Sequence, residues 1–254
     1  MKLRSAYKIL GVIPARYAST RLPGKVLADI CGKPMIQHVY ERALRAACLT
    51  ELVVATDDRR VLEAVRAFAG DGAAVMTSPE HPNGSSRAAE VLKSRDADAV
   101  INIQGDEPLL DPAMIDEVAE ALFSGPDVVC STLCRPLRDE ADRENPNAVK
   151  VVLGQNGDAL YFSRSPIPYP RSTPCVPVYE HIGIYGYRSG FLKRYAELPM
   201  TPLAETESLE QLKILEHGYR LRVAVTRCGG SGPSVDTAED LEAVRRMLER
   251  TKKP

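Results

Sequence analysis

Three cations and two distant carboxylates are the residues of this chain whose setting suits chemistry. Arg16, Arg21 and Lys25 stand among Ser, Thr, Pro and Gly in ARYASTRLPGK, directly after the apolar run ILGVIPA from Ile9 to Ala15. A buried strand that hands over to such a loop holds backbone amides and cations rigidly around one point, which suits an anion. Beside the first strand of an α/β sheet the expected anion is a nucleoside triphosphate; the alternative is three solvated side chains. Asp106 leaves another apolar run in NIQGDEP, Asn102 to Pro108. A carboxylate there, next to phosphates, can hold Mg2+, which keeps several waters and takes only one or two protein carboxylates. Glu107 points the other way if the chain is extended. Asp236, in SVDTAEDL, either caps the last helix or, because Thr237 can cap with Asp240 at the third helical position, is available to a metal.

These groups need a scaffold that brings residues 16, 106 and 236 together. After the first loop, CGKP reads as a turn with Pro34 at the first helical position, and PMIQHVYERALRAAC has helical periodicity, with His38 partly packed within it. ELVVATDD, AAVMTSP and DAVINIQGDEP read as strands, interleaved with the helices VLEAVRAFA, SSRAAEVLKS and DPAMIDEVAEALF. This βαβα order predicts an α/β fold, a mostly parallel sheet with helices on both faces and the loops after the strands along one edge. From about Asp127 the pattern changes. VVCSTLC, AVKVVL and ALYFS are strand-like, NGD at Asn156 to Asp158 turns a hairpin, and a proline-rich loop precedes the strand HIGIYGYR. ETESLEQLKILEHGYR reads as one helix ended by Gly218, followed by the strand LRVAVT and a terminal helix. The reading is one domain over residues 1–254, with a smaller excursion at about 127–190 for dimerisation and acceptor binding.

Composition removes several function classes. The 254 residues carry 33 Lys and Arg against 34 Asp and Glu, a net charge of -1, so no global field draws nucleic acid or an anionic membrane. The N-terminal apolar run is short and broken by Pro14, which is neither a signal peptide nor a membrane span, and a cytoplasmic address is the expectation. Six cysteines without a C-x-x-C pair make neither a disulfide framework nor a zinc site, and Cys130 and Cys134 read as buried strand residues. Gly24-Lys25 is followed by Val26 and lacks the upstream glycine of a P-loop, and no G-x-G-x-x-G follows a strand. The adjacent acids Asp57 and Asp58 do not form the D-x-D metal motif of many glycosyltransferases.

IPARYASTRLPGKVL, NIQGDEP, NPNAVKVV, ALYFSRSPIP, HIGIYGYR, the E-x-LEQL helix and VDTAEDL, in this order, resemble the 3-deoxy-manno-octulosonate (Kdo) cytidylyltransferase family from about Ile9 to Leu241. The resemblance implies a nucleotide-diphospho-sugar transferase (Rossmann-like) fold, a homodimer, Mg2+, and transfer of CMP from CTP to Kdo for lipopolysaccharide biosynthesis. It implies that Arg16 and Lys25 hold the triphosphate with Arg21, and that Asp106 and Asp236 hold metal. The base would be met near Ala15 and by the loop carrying Ser78, Gly84, Ser85 and Arg87, with Gln104 near the ribose or acceptor. For an acidic, hydroxyl-rich acceptor, Arg164 offers a bidentate partner to a carboxylate, and His181, Tyr185, Glu207 and Gln211 offer hydrogen bonds. Glu207 and Gln211, four apart, would share one helix face, either on the acceptor or in solvent.

Two positions depart from the family pattern. Where it reads Gly-Thr-acid-Arg this chain has Gly84, Ser85, Ser86 and Arg87, and where a basic residue usually precedes the HIGIYGYR strand it has Glu180. Both changes leave the metal and triphosphate set intact, so CTP-dependent transfer follows more directly than the acceptor. The alternatives are an amino-Kdo, a sialic-type sugar or a phosphonate carboxylate as acceptor, or a nucleotide-binding protein without turnover.

Overall fold

The computed structural model describes residues 2–19, 21–137, 139–172, 176–229 and 232–252. In chain order the elements are α1 Lys2–Ala6, β1 Ile9–Pro14, β2 Asp29–Ile30, β3 Lys33–Pro34, α2 Met35–Ala43, β4 Glu51–Thr56, α3 Arg59–Ala69, β5 Ala74–Met76, α4 Gly84–Val91, β6 Ala99–Asn102 and α5 Pro112–Leu122. They continue with β7 Cys130–Pro136, β8 Lys150–Leu153, β9 Ala159–Ser163, β10 Tyr179–Arg188, α6 Ser189–Glu197, α7 Pro202–Glu207, α8 Leu212–Glu216, β11 Arg222–Val225 and α9 Ala238–Lys252. Contacts divide the chain into two compact units, one of residues 1–116 with 228–254 and the other of residues 117–227. The excursion expected at about 127–190 lies inside the second unit.

The first unit holds the parallel sheet that the βαβα order predicts. β1 pairs in parallel with β4 on one side and β6 on the other, and β4 pairs in parallel with β5. β1 is almost continuously buried, as suits a strand covered on both faces, and Ile9, Ile13, Val53, Ile101 and Met114 belong to its core. α3 starts where the Asp58 carboxylate accepts the Arg60 amide at 2.8 Å and ends at Gly70, with φ 90°. At CGKP the chain makes a small antiparallel hairpin, β2 with β3, turned by Cys31 and Gly32 at positive φ. Pro34 accordingly stands at the N-cap of α2 rather than inside its first turn.

The second unit is mostly antiparallel. β10 runs antiparallel to β7 and β8, β8 to β9, while β11 joins β7 in parallel. Phe162, Leu133, Leu192 and Leu212 are buried there, and the rings of Tyr187, Tyr195, Phe191 and Tyr219 pack in pairs with centroids 4.8 to 6.4 Å apart. The segment expected as one helix from Glu205 is two short helices. Ser208 turns left-handed, at φ 51°, between α7 and α8, while Arg164 binds the carbonyls of Glu207 and Ser208 and so takes acceptors that a continuing helix would use. Glu207 and Gln211 therefore do not share a helix face. Cys130 and Cys134 are buried strand residues whose thiols burial pushes up, Cys134 to about 12; Cys175 lies outside the described residues. Among the described residues no helix is long and apolar enough to cross a membrane.

Candidate active site

The loops that leave the C-terminal ends of β1, β5 and β6 line a cleft of about 600 Å³ in the first unit, together with the segment before α9. Arg16, Arg21, Lys25, Gly84, Gln104, Asp106 and Asp236 all face it. Each is positioned by a local feature. Lys25 opens a 3-10 turn, Lys25–Leu27, whose Val26 is buried, and Gly24 before it takes φ 71°. Gly105 lets the β6 loop run against the end of β1, because a Cβ there would lie 2.6 Å from the Pro14 carbonyl oxygen. The Val235 amide donates to the Asp106 carbonyl at 2.8 Å, which ties the two acidic loops together.

Asp236 does not cap α9. Asp240 accepts the Asp236 and Thr237 amides at 3.0 and 2.9 Å, and the Thr237 hydroxyl accepts the Asp240 amide at 3.2 Å, a reciprocal capping box. The Asp236 carboxylate turns instead to Lys25 Nζ at 3.0 Å and Arg21 Nη2 at 2.9 Å. Lys25 Nζ also donates to Asp106 at 2.8 Å and to the Val235 carbonyl at 2.9 Å. Burial alone would lower the Lys25 pKa, but the charges and hydrogen bonds of Asp106 and Asp236 prevail and raise it.

Arg16 is half-buried, with Nη2 enclosed and without a hydrogen-bond partner. Burial first, and then the charge of Arg87, lower its pKa, with Asp57 opposing. An enclosed guanidinium nitrogen at a cleft wall is a donor waiting for an acceptor. The carboxylate pair suits Mg2+ in chemistry, being hard oxygen donors brought to one point. Among the described residues no group of three or more His, Cys, Asp or Glu side chains gathers at metal-binding spacing, so the remaining oxygens would have to come from phosphate and water.

Four residues expected at the nucleotide do not line this cleft. Ala15 is fully buried and its amide donates to the Ala55 carbonyl, while Pro14 takes the cleft wall. The Ser78 amide goes to Glu90 and its hydroxyl accepts the Glu80 amide. Ser85 is buried and its hydroxyl accepts from Asn102. Arg87 is also buried, paired with Asp57 at 2.8 Å and donating to Thr77, so it joins the loops after β4 and β5 from beneath. Ser86, at the place of the family's acid, bonds through its amide and hydroxyl to Asn83, the N-cap of α4. Asn83 and Asp57 are the residues that the sequence reading missed. An Asn just before a helix, and an Arg beside Ala88 and Ala89 on that helix, were their available signals.

The residues expected at the acceptor lie in the second unit and divide into two groups. Arg164 donates Nε to the Glu207 carbonyl, Nη1 to Pro146 and Nη2 to Ser208, so backbone rather than a ligand holds its fork. The Glu207 carboxylate accepts the Ser163 hydroxyl at 2.6 Å and the Arg164 amide at 2.9 Å. These two residues lock the end of β9 to the turn after α7. His181, Tyr185 and Gln211 instead form an uncharged cluster. The His181 ring meets the Thr132 hydroxyl at 2.9 Å and the edges of Phe162 and Tyr185, and burial pushes its pKa down to about 3 although part of the residue stays accessible. Tyr185 donates to Gln211 Oε1 at 3.2 Å, and Gln211 Nε2 is buried without a partner. Glu180 pairs with Arg135 at 2.7 Å across β10 and β7, so its reversed charge is neutralised within the sheet.

A family model described as cytidylyltransferase matches residues 10–222. A 3-deoxy-manno-octulosonate cytidylyltransferase of Solibacter usitatus is 51% identical over 243 residues, covering 95% of this chain and 94% of that one. Another, from Geobacter metallireducens, is 49% identical over 254 residues, covering 96% and 98%. A solved CMP:2-keto-3-deoxy-manno-octonic acid synthetase complexed with CTP is 46% identical and superposes with a TM-score of 0.91 over 96% of this chain and 99% of the other. That likeness carries the nucleotide-diphospho-sugar transferase fold. With matches of this depth along nearly its whole length, the chain belongs to the cytidylyltransferases, in the 3-deoxy-manno-octulosonate cytidylyltransferase family.

Proposed function

We propose that this protein transfers CMP from CTP to the anomeric hydroxyl of Kdo, giving CMP-Kdo and pyrophosphate. The observation that carries the reading is the single cleft in which three cations of the β1 loop face Asp106 and Asp236. The hydroxyl oxygen attacks the α-phosphorus in line; one P–O bond forms as the bond to the leaving pyrophosphate breaks, and the hydroxyl proton is released. Arg16, Arg21 and Lys25 bind the triphosphate and offset the charge that builds on its oxygens, so catalysis is positioning and electrostatics without a covalent enzyme intermediate. Asp106 and Asp236 would hold Mg2+, which when bound withdraws charge from the phosphates. Gln211 Nε2, a buried donor without an acceptor, supports a sugar oxygen at the His181 and Tyr185 cluster.

The wider setting belongs to the same proposal. A homodimer through the second unit follows from the family resemblance, and Leu160, Tyr169 and Val176 there are exposed apolar side chains, at 64, 86 and 65%. A cytoplasmic enzyme of lipopolysaccharide biosynthesis is the corresponding role. The test is pyrophosphate release from CTP and Mg2+ with one acceptor at a time. Release with Kdo, abolished by chelation, is expected. Release with a sialic-type sugar or a phosphonate carboxylate and none with Kdo overturns the acceptor; no release with any acid overturns the enzyme.

A further inference from the structure

Lys25 has no donor left for a phosphate. An ammonium carries three N–H groups, and here they go to Asp106 Oδ2, the Val235 carbonyl and Asp236 Oδ1, at 2.8, 2.9 and 3.0 Å. Arg21 adds Nη2 at 2.9 Å to that same Asp236 oxygen. The two cations placed to neutralise a triphosphate thus neutralise the two carboxylates placed to hold a metal, and the four charges close on one another.

Neither ligand can enter this cluster alone at low cost. The point that touches both carboxylates is taken by Nζ, and the Lys25 side chain is only 12% exposed, so a cation that displaced it would leave a nearly enclosed ammonium unpaired. A triphosphate that drew Lys25 away would leave two adjacent carboxylates uncompensated. Among the described residues no further metal-binding side chain gathers here, so a divalent ion also lacks the oxygens that phosphate would bring. Arriving together, the two ligands supply every partner that they remove.

Resting on the metal role given above, we propose that Lys25 and Arg21 exchange partners on binding, from carboxylate to phosphate, and that this exchange makes divalent cation and CTP bind with positive coupling. In the ligand-free protein Lys25 is a counter-ion that keeps the carboxylate pair assembled and closed to metal. Because coupling of binding free energies is reciprocal, each ligand raises the affinity for the other by the same factor.

The test uses Mn2+ alone, read by the loss of the electron paramagnetic resonance signal of the free ion, on full-length protein without nucleotide. Lys25→Met and Lys25→Gln are expected to bind Mn2+ about tenfold more tightly than wild type, within the usual range of coupling between sites. Arg21→Ala, at an exposed side chain, gains less. Lys25→Met combined with Asp236→Asn loses the gain. Equal Mn2+ affinity in wild type and both Lys25 variants overturns the exchange. A gain that persists in the double variant places the ion elsewhere and overturns the metal assignment itself.

Discussion

The two units handle polar groups in opposite ways. In the first, charged side chains meet in an open cleft, where Lys25 is 12% exposed but its partners Asp106 and Asp236 are 28 and 33% exposed and Arg21 is 63% exposed. In the second, the groups expected at the acceptor are uncharged or tied to backbone. His181 is held neutral, Tyr185 and Gln211 bond to each other, and Arg164 gives its fork to carbonyls. Half-exposed ion pairs are weak and exchangeable, which suits a site that must admit a highly charged triphosphate and release pyrophosphate. A buried, uncharged network is rigid and discriminates hydroxyl patterns, because each unmatched group costs a hydrogen bond.

The sharpest way to break this contrast is at the open cleft. Asp106→Asn should lower kcat about 10²- to 10³-fold, the usual cost of one electrostatic partner of a transition state, while leaving stability nearly unchanged. Pyrophosphate release and urea unfolding read the two quantities, and an unchanged rate would remove Asp106 from the chemistry. Glu207→Ala should do the reverse in part, costing about 2 kcal/mol of stability, because its carboxylate holds a hydroxyl and an amide at the end of β9.

His181 predicts a pH effect. Its pKa is lowered to about 3 from an ordinary 6.5, chiefly by burial, so the folded state keeps it neutral while the unfolded chain takes up a proton. Its contribution is complete above about pH 6.5 and is lost progressively as pH falls towards 3. His181→Gln should flatten that limb of the stability curve, by less than the ceiling of about 1.4 kcal/mol per pH unit because part of the residue is accessible. Tyr185→Phe, the smallest change, should cost about 1 kcal/mol and remove the hydroxyl that donates to Gln211 Oε1. If it lowered kcat as much as Asp106→Asn, the second unit would share in the chemistry and the contrast would fail.

Much of the first unit was legible because its signals are local. The alternation of apolar strands and amphipathic helices, the loop composition after β1 and the Thr237 and Asp240 capping pattern each depend on neighbours in sequence. The second unit was less legible. Helix α6 and the break at Ser208 went unanticipated, the latter because it depends on Arg164 reaching the carbonyls of Glu207 and Ser208 from 43 and 44 residues away. Arg87 illustrates the same limit. The resemblance implies Arg87 at the nucleotide base, yet it is buried and paired with Asp57, 30 residues distant, a partner that no local pattern announces.

By itself the sequence determined the parallel βαβα scaffold, the cationic loop at its first strand and the family, since these rest on periodicity and on ordered motifs. Tertiary structure alone decided which charges meet. Electrostatic pairing depends on distance in space, and residues 25, 106 and 236 converge because the loops after β1 and β6 share one edge and the Val235 amide ties the segment before α9 to Asp106. It is also what shows Lys25 holding carboxylates in place of phosphates, a choice of partner that no spacing along the chain encodes.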